Sequence, residues 1–237
     1  MLPGGCRAVV SDRSHGDLRA ALGEVATARR RALVDLPWTP PRQVHGRSVL
    51  VLAPVGAGPA GGGPAGGGPA GGGPTGRREV DADAVVTSEV GQAIAVLGAD
   101  CALVGLTSAE GVIAVAHAGW RGLLAGVLEA TVDEMRGPRA GDISAVLGPC
   151  IHPECYAFGA GDLDEVAGRL GPSVRGRTSG GALALDVPAA VASALARAGV
   201  PAPVPLAGCT GCDPGYFSHR ARRDEGRHAL VLYRVAP

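Results

Sequence analysis

The sequence predicts a single α/β domain over residues 1–237, in which helices are layered around a mixed β-sheet. Short aliphatic runs bounded by glycine or polar residues recur through the second half of the chain, as is typical of buried strands. Helical segments occur between these runs only in loose alternation, which favours a mixed sheet. Hydrophobic residues make up 46% of the chain but aromatic residues only 3%, so we expect a core of Ala, Val and Leu.

The N-terminal segment predicts one strand, one helix and a second strand. Residues 7–10 form the first aliphatic run, and Asp17 is placed to cap a helix over residues 18–32. Three prolines between positions 37 and 41 exclude a helix and impose an extended path. A strand over residues 48–52 follows them.

Residues 54–76 differ in composition from the rest of the chain. Gly-Gly-Gly-Pro-Ala recurs there with a period of five residues. Such a segment buries too little apolar surface to offset its backbone entropy, which predicts a disordered surface loop. Because predicted strands lie on both sides of it, we interpret it as an insertion within one domain.

Regular patterning follows from residue 81 onwards. Strands are predicted at 84–87, 93–97, 103–106, 112–116, 143–147 and 228–235, and helices at 122–135, 163–170 and 187–198. The last helix has the clearest start, because Asp186 stands at the capping position and Pro188 in the first turn.

Charge and hydropathy argue against several classes of function. Lys and Arg number 22, as do Asp and Glu, so no net charge attracts nucleic acid or an anionic membrane. No apolar run reaches the roughly 18 residues of a transmembrane helix, and residues 1–10 lack the apolar stretch of a signal peptide. We therefore expect a cytoplasmic protein whose six cysteines are thiols.

Three segments place a potential metal ligand beside a predicted strand. His45 precedes the strand at 48–52, Cys101 follows the strand at 93–97, and His117 follows the strand at 112–116. Strand ends gather into a crevice in α/β folds. Two imidazoles and one thiolate suit zinc and leave a fourth position for water or substrate. The spacing alone matches no compact zinc-finger pattern.

These residues belong to motifs that carry a family resemblance. The motifs are Gln43–Val44–His45–Gly46, Asp81–Ala82–Asp83–Ala84, Ala99–Asp100–Cys101, His117–Ala118–Gly119–Trp120–Arg121–Gly122, Leu147–Gly148–Pro149–Cys150–Ile151 and Phe217–Ser218–His219–Arg220. In this order they resemble the YfiH, or laccase-domain, family from about Asp17 to Tyr233. The motif that begins at His117 is the most specific of them.

The resemblance implies one zinc ion per chain, bound by His45, Cys101 and His117. It implies phosphorolysis of adenosine, guanosine, inosine and methylthioadenosine, with phosphate as co-substrate, and deamination of adenosine. Some members of the family are linked instead to editing of peptidoglycan precursors, for which Cys101 could serve as nucleophile. A copper-dependent polyphenol oxidase is disfavoured because the chain has only 6 His. A zinc-stabilised module that binds a partner protein is the non-enzymatic alternative.

The motif positions also predict catalytic and substrate-binding residues. Asp100, Cys101 and His117 are the predicted catalytic residues, with Asp100 either a general base or only the cap of a turn. The predicted substrate-binding residues are Gln43, Arg121, Phe217 and Arg220. Arg121 opens a predicted helix, where backbone N–H groups favour a phosphate, and the ring of Phe217 is suited to stacking on a base.

A second group of thiols allows two further interpretations. Its members are Cys150, His152, Cys155, Cys209, Cys212 and His219. The C-x-x-C at residues 209–212 is compatible with a structural zinc site or with a redox pair. The family commonly has Cys-Thr at the position of Cys209, so a structural or pocket-lining role is favoured there.

Overall fold

Two stacked β-sheets form the centre of the computed structural model, which describes residues 2–52, 80–136 and 141–235. The strands in these ranges are β1 Cys6–Val10, β2 Trp38–Thr39, β3 Val49–Leu52, β4 Ala84–Thr87, β5 Ala93–Gly98, β6 Ala102–Ser108, β7 Ile113–Ala118, β8 Ile143–Leu147, β9 Arg175–Arg177, β10 Leu183–Leu185, β11 Val204–Pro205 and β12 His228–Arg234. The helices are α1 Glu24–Leu33, α2 Trp120–Ala125, α3 Val127–Arg136, α4 Ala160–Leu170, α5 Val187–Arg197 and α6 His219–Arg222. The loop predicted at 54–76 lies outside the described residues.

Both large sheets are mixed, as the sequence predicts. The four-stranded sheet has the order β1-β12-β5-β2, and the six-stranded sheet has the order β11-β8-β6-β7-β4-β3. The β2–β5, β3–β4 and β8–β11 pairs are parallel, while the other pairs in these sheets are antiparallel. A separate hairpin joins β9 and β10.

Side-chain alternation along the strands produces the layers. Val96, Leu103 and Val115 belong to a buried cluster formed by both sheets. On β6 the alternate residues, such as Val104, join a second cluster with the helices that cover the six-stranded sheet. Ala95 of β5 instead belongs to a third cluster that includes residues flanking α1. The order of layers is therefore α1, four-stranded sheet, six-stranded sheet and the remaining large helices.

The first helix is shorter than the sequence predicts. α1 begins at Glu24, because Gly23 has φ 56° and ψ −126° and separates it from an earlier single turn. Asp17 does not cap this helix. Its carboxylate accepts hydrogen bonds from the backbone N–H groups of Arg19 and Arg227, which ties the N-terminal segment to the approach to β12.

The helix predicted at 122–135 is two helices, α2 and α3, separated by Gly126. This glycine has φ 87°, a left-handed conformation that costs an L-residue about 1–2 kcal/mol. A Cβ there would also lie 2.9 Å from Nη2 of Arg169.

The helix predicted at 187–198 is confirmed, since the Asp186 carboxylate accepts from the N–H of Ala189.

We expect Gly126→Ala to lower the free energy of unfolding by about 1–2 kcal/mol. Gly168→Ala is the matched control, because Gly168 is an exposed residue inside α4 with no atom near its would-be Cβ. That control should raise the free energy of unfolding by about 0.5–1 kcal/mol. Urea denaturation of both variants measures the two effects, and equal stability of the variants would contradict the backbone argument.

The described residues include no helix long and apolar enough to cross a membrane. Their longest helices, α4 and α5, have 11 residues each.

Candidate metal centre

The three predicted ligands lie together at one end of the central strands of the six-stranded sheet. His45 is in the loop before β3, Cys101 immediately precedes β6, and His117 is near the end of β7. Because β6 and β7 are antiparallel and Leu103 pairs with His117, the start of one strand meets the end of the other. One ligand atom from each of the three residues lies within 4.8 Å of the others. Cys101 Sγ is 4.0 Å from His45 Nε2.

Gly119 allows this close approach. A Cβ at position 119 would lie 3.1 Å from Cys101 Sγ and 3.1 Å from Cδ2 of His45. It would also lie 3.8 Å from Cε1 of His117. Only glycine leaves the space between the three donors open, which explains the glycine that follows His117 and Ala118 in the sequence.

Asp83 organises the site and is a residue that the sequence analysis missed. Its side chain is fully buried, and one carboxylate oxygen lies 2.9 Å from Nδ1 of His117. The same carboxylate accepts backbone hydrogen bonds from His45 at 2.9 Å and from Gly46 at 2.6 Å. These bonds hold His45 at φ 59°, an uncommon conformation outside glycine. Asp83 therefore positions both imidazoles and leaves Nε2 of His117 available to a metal.

The electrostatics of the cluster favour a thiolate. Burial raises the pKa of Cys101, but hydrogen bonds with His117 and His45 outweigh burial and lower it to about 6. Burial lowers the pKa of His117, yet Asp83 and Cys101 outweigh burial and raise it to about 9. The pKa of Asp83 is lowered despite burial, because His117 and two backbone N–H groups stabilise its charge. A thiolate at neutral pH is the form that binds zinc, and a bound metal would displace the proton that His117 carries in its absence.

Asp100 anchors the turn that carries Cys101. One of its oxygens accepts from Thr210 Oγ1 and the other from the backbone N–H of Arg220, both at 2.7 Å. Asp100 also has φ 97°, so the turn depends on these bonds. This arrangement favours the interpretation of Asp100 as a structural anchor over that of a general base.

Two predicted substrate-binding residues have other partners. The side-chain amide of Gln43 donates to the carbonyl of Leu97 and accepts from its N–H, which fastens the His45 loop to β5. Phe217 is only 7% exposed. The guanidinium of Arg13 lies 4.6 Å from the centroid of the Phe217 ring, and this ring stacks on the ring of His228. The structure thus gives Gln43 and Phe217 partners within the protein, and their contacts with substrate stay a prediction.

A small pocket lies beside Cys101, and the remaining candidates, Arg121 and Arg220, each contact an aromatic residue of its wall. Its wall includes Trp120 and Tyr156 together with Gly119 and Asp100. The guanidinium of Arg121 lies 4.3 Å from the ring centroid of Trp120. The guanidinium of Arg220 lies 4.8 Å from the ring centroid of Tyr156. Both arginines are exposed, so each lies on an aromatic wall residue while its N–H groups can still reach an anion.

The chain matches the family described as multi-copper polyphenol oxidoreductase laccase over residues 12–234. The Streptomyces griseus protein named purine nucleoside phosphorylase ORF3 is 37% identical over 228 residues, which cover 92% of this chain and 83% of that protein. Purine nucleoside phosphorylase SCO2081 of Streptomyces coelicolor is 37% identical over 220 residues, which cover 89% and 83%. Adenosine deaminase RL5, from an unknown prokaryotic organism, is 35% identical over 168 residues, which cover 64% and 62%.

Solved structures share the fold. The Neisseria meningitidis protein NMB0706 superposes with a TM-score of 0.79 at 25% identity and covers 99% of this chain and 96% of its own. YlmD from Geobacillus stearothermophilus gives a TM-score of 0.77 at 25% identity, with 98% and 93% covered. The matched range and these relatives show that the chain belongs to the YfiH, or multi-copper polyphenol oxidoreductase laccase, family of enzymes.

Proposed function

We propose that the protein is a zinc-dependent purine nucleoside phosphorylase that also deaminates adenosine. The observation that carries the proposal is the convergence of His45, Cys101 and His117 beside a pocket with aromatic walls. The names of the relatives support the same substrates, since purine nucleoside phosphorylases and an adenosine deaminase are among them.

The three side chains fit zinc. Two imidazole nitrogens and a thiolate are its usual ligands, and three protein ligands leave a position for substrate or water. Gly119 keeps that region free of a Cβ, and Asp83 supplies the carboxylate that commonly supports a histidine ligand. A zinc ion bound there would act as a Lewis acid and would lower the pKa of a bound water.

The pocket residues supply the contacts that a nucleoside and phosphate need. The rings of Trp120 and Tyr156 offer apolar faces for a purine. Arg121 and Arg220 each lie over one of these two rings, from where their guanidinium groups would hold phosphate near the sugar. In phosphorolysis a phosphate oxygen bonds to the sugar carbon as the bond from that carbon to the base breaks. Positioning of phosphate by these arginines is therefore the contribution that we assign to them.

Product analysis tests the proposal. Zinc-loaded protein is incubated with adenosine in the presence and absence of phosphate, and adenine, ribose 1-phosphate and inosine are quantified. At low conversion, before inosine accumulates as a competing substrate, we expect adenine and ribose 1-phosphate in equal amounts only when phosphate is present, and inosine under both conditions. No consumption of adenosine under either condition would contradict the proposal and would favour the editing of peptidoglycan precursors.

We expect Arg220→Ala and Arg121→Ala each to raise the KM for phosphate about 10- to 100-fold, because each variant loses one charge-assisted hydrogen bond to phosphate. The zinc content should stay unchanged, because neither guanidinium contacts the three ligands. Arg31→Ala is the matched control, since Arg31 is exposed on α1, which lies outside the four-stranded sheet. Initial rates at varied phosphate concentration measure the effect. An unchanged KM in both variants would remove the arginines from the phosphate site.

A further inference from the structure

A second cluster of donors lies apart from the three residues described above. Thiol sulfurs of Cys155, Cys209 and Cys212 lie within 4.8 Å of one another. The sulfurs of Cys155 and Cys212 are 3.0 Å apart. Among the cysteines that the sequence analysis grouped with them, Cys150 is fully buried in the core and joins none of the donor groups found among the described residues.

Two short segments bring these thiols together. Residues 152–155 supply His152 and Cys155 at the spacing H-x-x-C, and residues 209–212 supply Cys209 and Cys212 at the spacing C-x-x-C. Backbone bonds fix the segments side by side, because Thr210 donates to the carbonyl of Cys150 and the N–H of His152 points at Cys209 Sγ. Paired donors with two residues between them, on facing turns, are typical of structural zinc sites.

The cluster also contains candidates for a fourth ligand. His152 and Glu154 each have a donor atom within 4.8 Å of that of Cys209. A carboxylate oxygen of Glu154 lies 3.5 Å from Cys212 Sγ and 3.7 Å from Nδ1 of His152. The donors thus form one continuous group of three soft thiols, one borderline imidazole and one hard carboxylate, which a single thiol pair would not require.

The turn at residues 209–212 is shaped to bring the thiols into contact. A Cβ on Gly211 would lie 2.5 Å from Cβ of Cys155 and 3.0 Å from its sulfur. A divalent cation bound between these sulfurs would hold them as thiolates, because a coordinating thiol is deprotonated by the metal.

We propose that Cys155, Cys209 and Cys212 bind a second, structural zinc ion, with His152 or Glu154 as the fourth ligand. Three thiolates select zinc over harder cations, and four protein ligands close the coordination sphere. The protein then holds two zinc ions per chain, where the sequence predicts one.

The position of this site gives it a structural effect on the pocket. Thr210, within the C-x-x-C, donates to Asp100, and the N–H of Ile151 donates to the carbonyl of Asp100. Asp100 immediately precedes Cys101. The second ion therefore fixes the two segments that are hydrogen-bonded to Asp100, residues 150–155 and 209–212, relative to each other. Its own ligands are not among the residues that line the pocket.

Zinc stoichiometry tests the proposal. The protein is produced with zinc, purified with a non-chelating phosphine reductant and analysed for metal per chain. We expect two zinc ions in the wild type, one in Cys212→Ser, one in Cys101→Ser and none in the double variant. Cys212 is exposed, so its replacement leaves the core intact. Cys6→Ser is the matched control outside both clusters and should retain two ions.

Cobalt substitution gives a second readout that does not depend on activity. We expect wild-type protein loaded with Co²⁺ to show a strong thiolate-to-cobalt charge-transfer band, and Cys212→Ser to lose most of it. A single zinc ion per wild-type chain that disappears with Cys101→Ser alone would overturn the proposal. A Cys155–Cys212 disulfide, seen as two missing free thiols in unreduced protein and no second ion after reduction, would overturn it equally.

Discussion

Cys101→Ala is expected to abolish phosphorolysis, with a loss of at least about a thousandfold in kcat/KM. The variant removes the one anionic ligand of the three, so only the two imidazoles remain to bind the metal. A bound metal contributes several kcal/mol of charge stabilisation in the transition state, and each 1.4 kcal/mol is a tenfold change in rate. Zinc content, measured beside activity, should fall by one ion per chain.

The matched control for this prediction is Cys6→Ala. Cys6 is a fully buried thiol of β1, in the cluster between the two sheets. Its replacement should lower stability while kcat/KM and zinc content at the candidate metal centre stay close to those of the wild type. Turnover by Cys101→Ala within tenfold of the wild type would contradict the assignment of Cys101 as a ligand.

Asp83→Asn is expected to weaken zinc binding about 10- to 100-fold, the usual cost of losing the carboxylate partner of a histidine ligand. The Asp83 carboxylate accepts from His117 and from the N–H groups of His45 and Gly46. An amide has only one acceptor oxygen and turns its NH₂ group toward a donor that was previously satisfied. Both imidazoles lose their fixed orientation, so activity at limiting zinc should fall with the affinity.

Asp81→Asn is the matched control, since Asp81 lies two residues earlier in the same motif. It forms an exposed ion pair with Arg42, and such pairs contribute at most about 1 kcal/mol. Zinc affinity is measured by competition with a chromophoric chelator in both variants. Equal zinc affinity in Asp83→Asn and Asp81→Asn would show that the buried carboxylate does not support the ligands.

The sequence predicts best those elements whose residues are buried on both faces. The strand at 84–87 matches β4, whose residues are all buried, and the strand at 143–147 matches β8, in which Ser144 alone is exposed. The prediction fails at surface elements. α1 has only Ala26 fully buried, so its start depends on the conformation of Gly23, which composition does not reveal.

The candidate site shows the same limit. The motifs predicted that His45, Cys101 and His117 lie together, and the structure places them so. The partners of the surrounding residues depend on segments distant in the chain. Asp100 is bonded to Thr210, and Gln43 is bonded to Leu97. These contacts arise only when the sheets stack, and therefore the sequence could not predict them.

Asp83 is the residue for which a usable signal existed. It lies between the buried residues Ala82 and Ala84, immediately before the wholly buried strand β4. A carboxylate in such a position must have fixed hydrogen-bond donors, because an isolated buried charge is strongly unfavourable. That argument points to a partner such as a histidine ligand, although it does not identify which histidine.

The most direct test of the account is to titrate zinc into chelator-stripped protein while phosphate-dependent release of adenine from adenosine is recorded. We predict that the stripped wild type is inactive, that zinc restores phosphorolysis, and that Cys101→Ala remains inactive at every zinc concentration. Full phosphorolysis by the stripped wild type, or restoration of Cys101→Ala by zinc, would contradict the claim that the metal at His45, Cys101 and His117 is the catalytic one.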